Sequence, residues 1–256
     1  MAYYYRTGEI GIIVLSVHDG NKNFNLLKRK KNYSNKDFRE TFILNNDYNT
    51  KELSKKLRND LTSQMKKKPY LLVSNIDRKY LDLNRPVQIG TSNRKSESYW
   101  HNFHNKLESV IKECKNKFGH CLLLDVHGNS GTDNLIQLGY GIRYKGIEQG
   151  DCDNLSLENL KTKYSPISLI HGNRSLGKFI DNYLTTVPSP RIDSKNKMRT
   201  VSEDDKYYNG GFIIRYYSKN FMIDAIQIEL SRDLRSTDIL DYTSDVISHG
   251  VCHFFI

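Results

Sequence analysis

Short apolar runs, each about the length of one strand, set the rhythm of this chain: IGIIVLS (10–16), YLLVS (70–74), HCLLLDV (120–126) and AIQIELS (225–231). Runs of this kind, bounded by polar loops, read as buried strands. Between them the period changes. NTKELSKKLRNDLTSQM (49–65) puts Leu53, Leu57, Leu61 and Met65 on one helical face, with Asn49 expected to cap the helix and Glu52 three residues on. A second helix is expected over roughly 97–116, its stripe formed by Trp100, Phe103, Leu107, Ile111 and Cys114. LIQLGYGIRY (135–144) suggests a further strand, and residues 174–186 a short helix leading into a Pro-containing loop. NGG (209–211) is read as a turn into a strand, FIIRYY, and the tail from Ser236 as a helix packed by Ile239, Leu240, Tyr242, Val246 and Ile247. The alternation predicts an α/β fold, and with no repeat or linker the whole of 1–256 reads as a single domain.

The ends of the apolar runs carry the chemistry. The run at 10–16 passes straight into Val17-His18-Asp19-Gly20-Asn21, and that at 120–126 ends in Asp125-Val126-His127-Gly128. Ligands of open α/β sheets gather beyond the carboxyl ends of the strands, so His18 and His127 are expected to converge there. Glu229 sits within the apolar run 225–231, where an unpartnered carboxylate is costly, so it faces either a site or a counter-charge. Two neutral imidazoles with one carboxylate form a catalytic zinc sphere that leaves a position open for water, and a further carboxylate can then serve as general base. NIDRKYLDLNRPV (75–87) adds Asp77, Arg78, Asp82, Asn84 and Arg85. A guanidinium beside an amide suits bidentate recognition of a carboxylate.

Composition narrows the classes. The net charge of +10 invites a nucleic-acid partner. Its excess, however, lies in LLKRKKNYSNK (26–36) and MKKKP (65–69), read as solvated loops and a helix end with no nucleic-acid motif around them. No apolar run reaches the roughly 18–20 residues of a membrane span, and MAYYYRTGEI lacks a secretory pattern. Cys114, Cys121, Cys152 and Cys252 are scattered, which reads as the reduced thiols of a cytoplasmic protein. GNSGTDN (128–134) lacks the Lys-Ser/Thr of a phosphate loop, no GxSxG is present for a serine nucleophile, and Asp151-Cys152-Asp153 reads as an exposed turn. His101 and His104 have metal-binding spacing but sit on a packed helix, with His104 at the pocket edge as the alternative; His120, His171, His249 and His253 read as structural or exposed.

Taken together, the segments resemble the N-formylglutamate amidohydrolases, relatives of zinc carboxypeptidases and aspartoacylase-like deacylases. SVHDG (16–20) is similar to the family's Ser-Pro-His-Ser/Ala-Gly motif, NDYNTKELSKKL (46–57) to its Asp segment leading into a helix, and IDRKYLDLNRP (76–86) to its Arg-x-x-x-Asp-Leu-Asn-Arg signature. LLLDVHGN (122–129) resembles Asp-x-His-Ser, NGGFIIRYY (209–217) Gly-Gly-Tyr-x-x-Arg, and AIQIELSRDLR (225–235) Gln-x-Glu-Leu-x-Arg. The resemblance implies a three-layer α/β/α sandwich of the phosphorylase/hydrolase type with a mixed central sheet. It also implies one zinc ion and hydrolysis of a small anionic N-acyl amino acid. His18 and His127 would be the imidazole ligands. Carboxypeptidase relatives take their carboxylate from a Glu three residues after the first His; Asn21 stands there, so Asp47 is the preferred substitute and Asp19 the reserve. Asp125 would orient His127, and Glu229 would be the general base. Asn84 and Arg85 would hold the substrate carboxylate, and Arg215 a second anionic group or the oxyanion.

Val17 replaces the family's Pro, Asp19 its small residue, and Gly128 its Ser, so the substrate is left open. The missing Glu at Asn21 also supports an alternative, a catalytically silent scaffold that binds an anionic ligand or partner. Retention of Glu229 favours the enzyme, because a binding scaffold has no need of a base.

Overall fold

In the computed structural model, residues 1–30, 42–143, 146–147, 153–191 and 207–255 are described. The strands are β1 Tyr3–Arg6, β2 Ile12–Ser16, β3 Tyr70–Ser74, β4 Leu122–Gly128, β5 Ile136–Gly139, β6 Thr186–Val187 and β7 Asp224–Leu230. They form one seven-stranded sheet in the order β1-β3-β2-β4-β7-β5-β6. The central strands β3, β2, β4 and β7 are parallel, whereas β1 runs antiparallel to β3 and β5 antiparallel to β7. The sheet is therefore mixed, as expected.

The helices are α1 Thr50–Met65, α2 Val87–Gly90, α3 Arg94–Phe118, α4 Pro166–Ile170, α5 Leu176–Ile180, α6 Phe212–Phe221 and α7 Leu240–Phe255. Successive strand residues point to opposite faces, so each apolar run feeds two cores. Ile12, Val14, Leu71, Leu124 and Ile228 pack with Leu53, Leu57 and Leu61 of α1 and Val246, Ile247 and Val251 of α7. Ile13, Leu15, Leu72, Leu123 and Ala225 pack on the other face with Phe103, Leu107 and Ile111 of α3 and Ile213, Ile214 and Tyr217 of α6. The result is three layers, helix–sheet–helix. No helix among the described residues is long and apolar enough to cross a membrane.

Several expectations need correction. FIIRYY is not a strand: it opens α6, whose buried Ile213, Ile214, Tyr217 and Ser218 follow helical spacing. The helix has no local side-chain cap. Its first amides are instead held from afar, Gly211 N donating to Gln227 Oε1 at 2.9 Å and Ile213 N to Asn84 Oδ1 at 2.9 Å. Asn49 does not cap α1 with its side chain; it sits at φ 66° and donates through Nδ2 to the Arg235 carbonyl at 2.8 Å. Asp19 meets that helix end instead, accepting from Lys51 N at 3.1 Å. The expected helix over 174–186 is limited to α5, and β1 was missed, its three tyrosines being only half-buried at the sheet edge.

The basic run 26–36 is not wholly solvated. Arg29 is buried, donating to the carbonyls of Arg78 at 3.0 Å and Ile43 at 2.5 Å. The rest of that run from residue 31 lies outside the described residues, as do Asp151 and Cys152.

Candidate active site

The parallel strands β2, β4 and β7 are neighbours in the sheet, and their carboxyl ends open into one cavity of about 1180 Å³. His18 follows β2; His127 lies on β4, in register with Glu229 of β7. Asp47 reaches the same point from the loop before α1, where its amide donates to the His18 carbonyl at 2.9 Å. The four side chains are buried, and Asn84, Arg85 and Arg215 line the same cavity. Every residue expected at the site is thus brought to one place, except the reserve Asp19, which is engaged with α1.

The contacts of the two histidines decide which nitrogen carries a proton. His18 Nε2 is 2.7 Å from Asp82 Oδ1. His127 Nε2 is 2.9 Å from Asp125 Oδ2. Asp125 is fully buried and neither of its oxygens accepts a hydrogen bond among the described residues, so its charge is offset only by a proton on His127 Nε2, 2.9 Å away as an ion pair. Asn84 Nδ2 lies 3.3 Å from the same nitrogen and, being itself a donor, makes no hydrogen bond with it once Nε2 carries the proton. With both Nε2 atoms facing carboxylates, both Nδ1 atoms are left as acceptors.

Those two Nδ1 atoms are 3.2 Å apart, and Asp47 Oδ2 lies 3.2 Å from the first and 3.0 Å from the second. Three acceptors in mutual contact repel one another unless a cation or a proton sits among them. Zinc bonds of about 2.0–2.2 Å to nitrogen and oxygen give a tetrahedron with edges of about 3.3–3.5 Å. The observed triangle is slightly tighter than one face of that tetrahedron, so the donor set fits such an ion. Among the described residues it is the one group of three His, Cys, Asp or Glu side chains with metal-holding proximity.

Around this triangle runs a ring of charge that the sequence reading left without roles. Arg78 donates from one guanidinium nitrogen to Asp47 Oδ1 at 3.0 Å and from Nε to Asp82 Oδ2 at 3.1 Å. Arg78, Asp47, His18 and Asp82 thereby close a cycle. Arg78 occupies the outer oxygen of Asp47 and leaves Oδ2 facing the histidines. Burial alone would raise the Asp47 carboxyl, but His18, His127 and Arg78 hold it well below the usual range. Asp82 is likewise held low against its burial, by Arg78 and His18. Burial disfavours a charged His127, yet Asp125 and Asp47 raise it well above its ordinary value, so in the metal-free protein His127 takes up the proton.

Glu229 behaves differently. Burial, reinforced by Asp47, pushes its carboxyl up to about 7, against the pull of His127, Arg78 and Arg235. Gln227 Nε2 donates to its Oε2 at 2.9 Å, and Glu229 lines the cavity. Gln227 carried a legible signal: two polar residues two apart in an apolar strand share a face. Arg78 and Asp82 also had one, four residues apart beside the Asn84-Arg85 pair. His104 is not at the cavity. It stacks on Trp100, with Nδ1 2.7 Å from the Tyr217 hydroxyl and Nε2 3.1 Å from the Leu83 carbonyl.

A sequence model of the N-formylglutamate amidohydrolases matches residues 88–235. The chain belongs to the N-formylglutamate amidohydrolase family, a family of hydrolases. The match includes His127, Arg215 and Glu229; His18, Asp47, Asn84 and Arg85 lie before it. Among solved structures, the N-formylglutamate amidohydrolase from Ralstonia eutropha JMP134 is similar over 99% of this chain and 98% of its own, with a TM-score of 0.55 at 12% identity. A gene product of Agrobacterium tumefaciens is similar over 98% of this chain and 92% of its own, with a TM-score of 0.52 at 11% identity. At such identities the likeness establishes the fold. No curated protein matches the sequence.

Proposed function

We propose that this protein is a zinc-dependent amidohydrolase that removes the acyl group, formyl foremost, from a small anionic N-acyl amino acid. The observation that carries this reading is the triangle of His18 Nδ1, His127 Nδ1 and Asp47 Oδ2, with edges of 3.0–3.2 Å, in which the partners of both rings leave every apex an acceptor. His18, His127 and Asp47 would hold the ion. When bound, it would supply Lewis-acid polarisation of the amide carbonyl and acidify water.

The chain's own groups do the rest. Glu229, fixed through Oε2 by Gln227 and raised toward neutrality, accepts the proton of the attacking water and returns it to the departing amine nitrogen. Arg85 and Asn84 receive the substrate carboxylate. Asn84 is oriented by the Ile213 amide on its Oδ1, so its Nδ2 is the donating end. Arg215, exposed on α6, lines the cavity and would meet a second anionic group or the oxyanion. The case for a silent scaffold rested on Asn21; the contact of Asp47 with both histidines supports a carboxylate from elsewhere in the chain.

The test is elemental analysis of protein purified without chelator, together with hydrolysis of N-formyl-L-glutamate, beside His18→Ala and His127→Ala. Near-stoichiometric zinc, lost with activity in both variants, is expected. Protein that takes up no zinc on titration overturns the reading.

A further inference from the structure

Arg235 closes the segment AIQIELSRDLR with no role read for it, and its guanidinium touches three of the segments that build the site. Nε donates to the Leu230 carbonyl at 3.3 Å and one terminal nitrogen to the Asn129 carbonyl at 2.6 Å; the other terminal nitrogen bonds the Tyr48 carbonyl. Leu230 immediately follows Glu229, Tyr48 immediately follows Asp47, and Asn129 lies two residues beyond His127. Asn49 returns the contact by donating to the Arg235 carbonyl at 2.8 Å. Arg235 is only 5% exposed.

The seat for this side chain is made by a missing one. A Cβ on Gly128 would stand 2.3 Å from both Cζ and Nε of Arg235. No side chain fits at 128 unless the guanidinium moves. The planar five-donor fork of arginine suits three carbonyls held in fixed directions; the compact ammonium of lysine does not.

We propose that Arg235 is a positioning residue for the hydrolytic site, strapping the Asp47 loop to the ends of β4 and β7, and that Gly128 is kept free of a side chain to seat it. Arg235 acts through the backbone beside Asp47, His127 and Glu229. The zinc part of the inference rests on the metal reading above; the strap itself does not.

The test uses full-length Gly128→Ala, Arg235→Met, Arg235→Lys and the double variant Gly128→Ala/Arg235→Met, with two measurements. The first is amide hydrogen exchange by mass spectrometry on metal-free protein, followed in peptides covering 44–50 and 128–131. Both alanine and methionine variants are expected to exchange at least tenfold faster there, with β3 and β4 core amides unchanged. The second is zinc affinity by competition with a chromogenic chelator, expected to fall about 10- to 100-fold in each single variant. The double variant should be no worse than either single one, because both lesions remove the same contact. Arg235→Lys, which keeps the charge, should recover less than half of the loss. Exchange in 44–50 that stays at the wild-type rate in both single variants, or losses that add in the double one, would overturn the proposal. Were the wild type to bind no zinc, the exchange measurement would still decide on the strap. Global acceleration of exchange in every peptide would assign Arg235 to general stability and overturn it too.

Discussion

His18 Nδ1 and His127 Nδ1 stand 3.2 Å apart in the interior, each with its opposite nitrogen turned to a buried carboxylate. Nitrogens that face each other as acceptors need a proton or a cation between them, and without metal His127 supplies the proton. Stability should therefore depend on what lies between them. A ligand at 100 times its dissociation constant adds about 2.7 kcal/mol, which for a domain of this size raises the melting temperature by about 5–11 °C. Zinc is expected to produce such a rise in scanning fluorimetry, and Asp47→Asn to abolish it. An unchanged melting temperature in the wild type would count against a metal at these residues.

Asp125 has a single task, the His127 Nε2 proton. Asp125→Asn keeps the volume and removes control of the ring tautomer. Zinc affinity should fall about 10- to 100-fold while the far-ultraviolet circular dichroism spectrum is retained. Wild-type affinity in this variant would show that His127 is oriented by something else.

Glu229→Gln separates proton transfer from metal binding. The variant should hold zinc as the wild type does and lose about 10²- to 10⁴-fold in kcat on N-formyl-L-glutamate, with little change in KM. Full activity would remove Glu229 from the mechanism.

His104 gives a pH dependence outside the metal site. Burial pushes its imidazole down to about 3, with His101 adding to the effect and the Leu83 carbonyl opposing it. The unfolded chain takes the proton near pH 6.5 and the folded one only near 3, so stability is lost as pH falls through this window. Between pH 7 and pH 5 the loss from this group is about 2 kcal/mol. Urea unfolding of wild type and His104→Gln at both pH values should show the wild type losing that much more than the variant. Parallel losses would mean that the ring titrates normally in the fold.

Arg29 was read as part of a wet basic run, and the structure buries it against carbonyls and Asp82. Arg29→Met should destabilise by about 2–4 kcal/mol in denaturant titrations, whereas Lys28→Met, on an exposed neighbour, should stay within about 0.5 kcal/mol. Equal effects would restore the surface reading.

What could be read in advance follows from where the determining contacts lie. β2, β3, β4, β7, α1 and α3 owe their form to local patterns of burial, and those patterns are in the sequence. The convergence of His18 and His127 was foreseeable too, because both follow apolar runs of neighbouring strands. α6 was misread because Asn84 and Gln227, distant in sequence, supply its first hydrogen bonds. Arg29 and Arg235 were invisible for the same reason: nothing in the local sequence shows which arginine finds buried carbonyls. Asp47 was chosen through resemblance, and its geometry rests on Arg78, which no local rule connects to it.

The ladder between β2 and β4 pairs Leu15 with Asp125. That pairing sits just before both histidines, so the gap between their Nδ1 atoms is inherited from backbone amides and carbonyls. Such a gauge is indifferent to which side chains fill the layers above and below. Repacking of either helical layer should then alter melting behaviour long before it alters the spacing of the two rings.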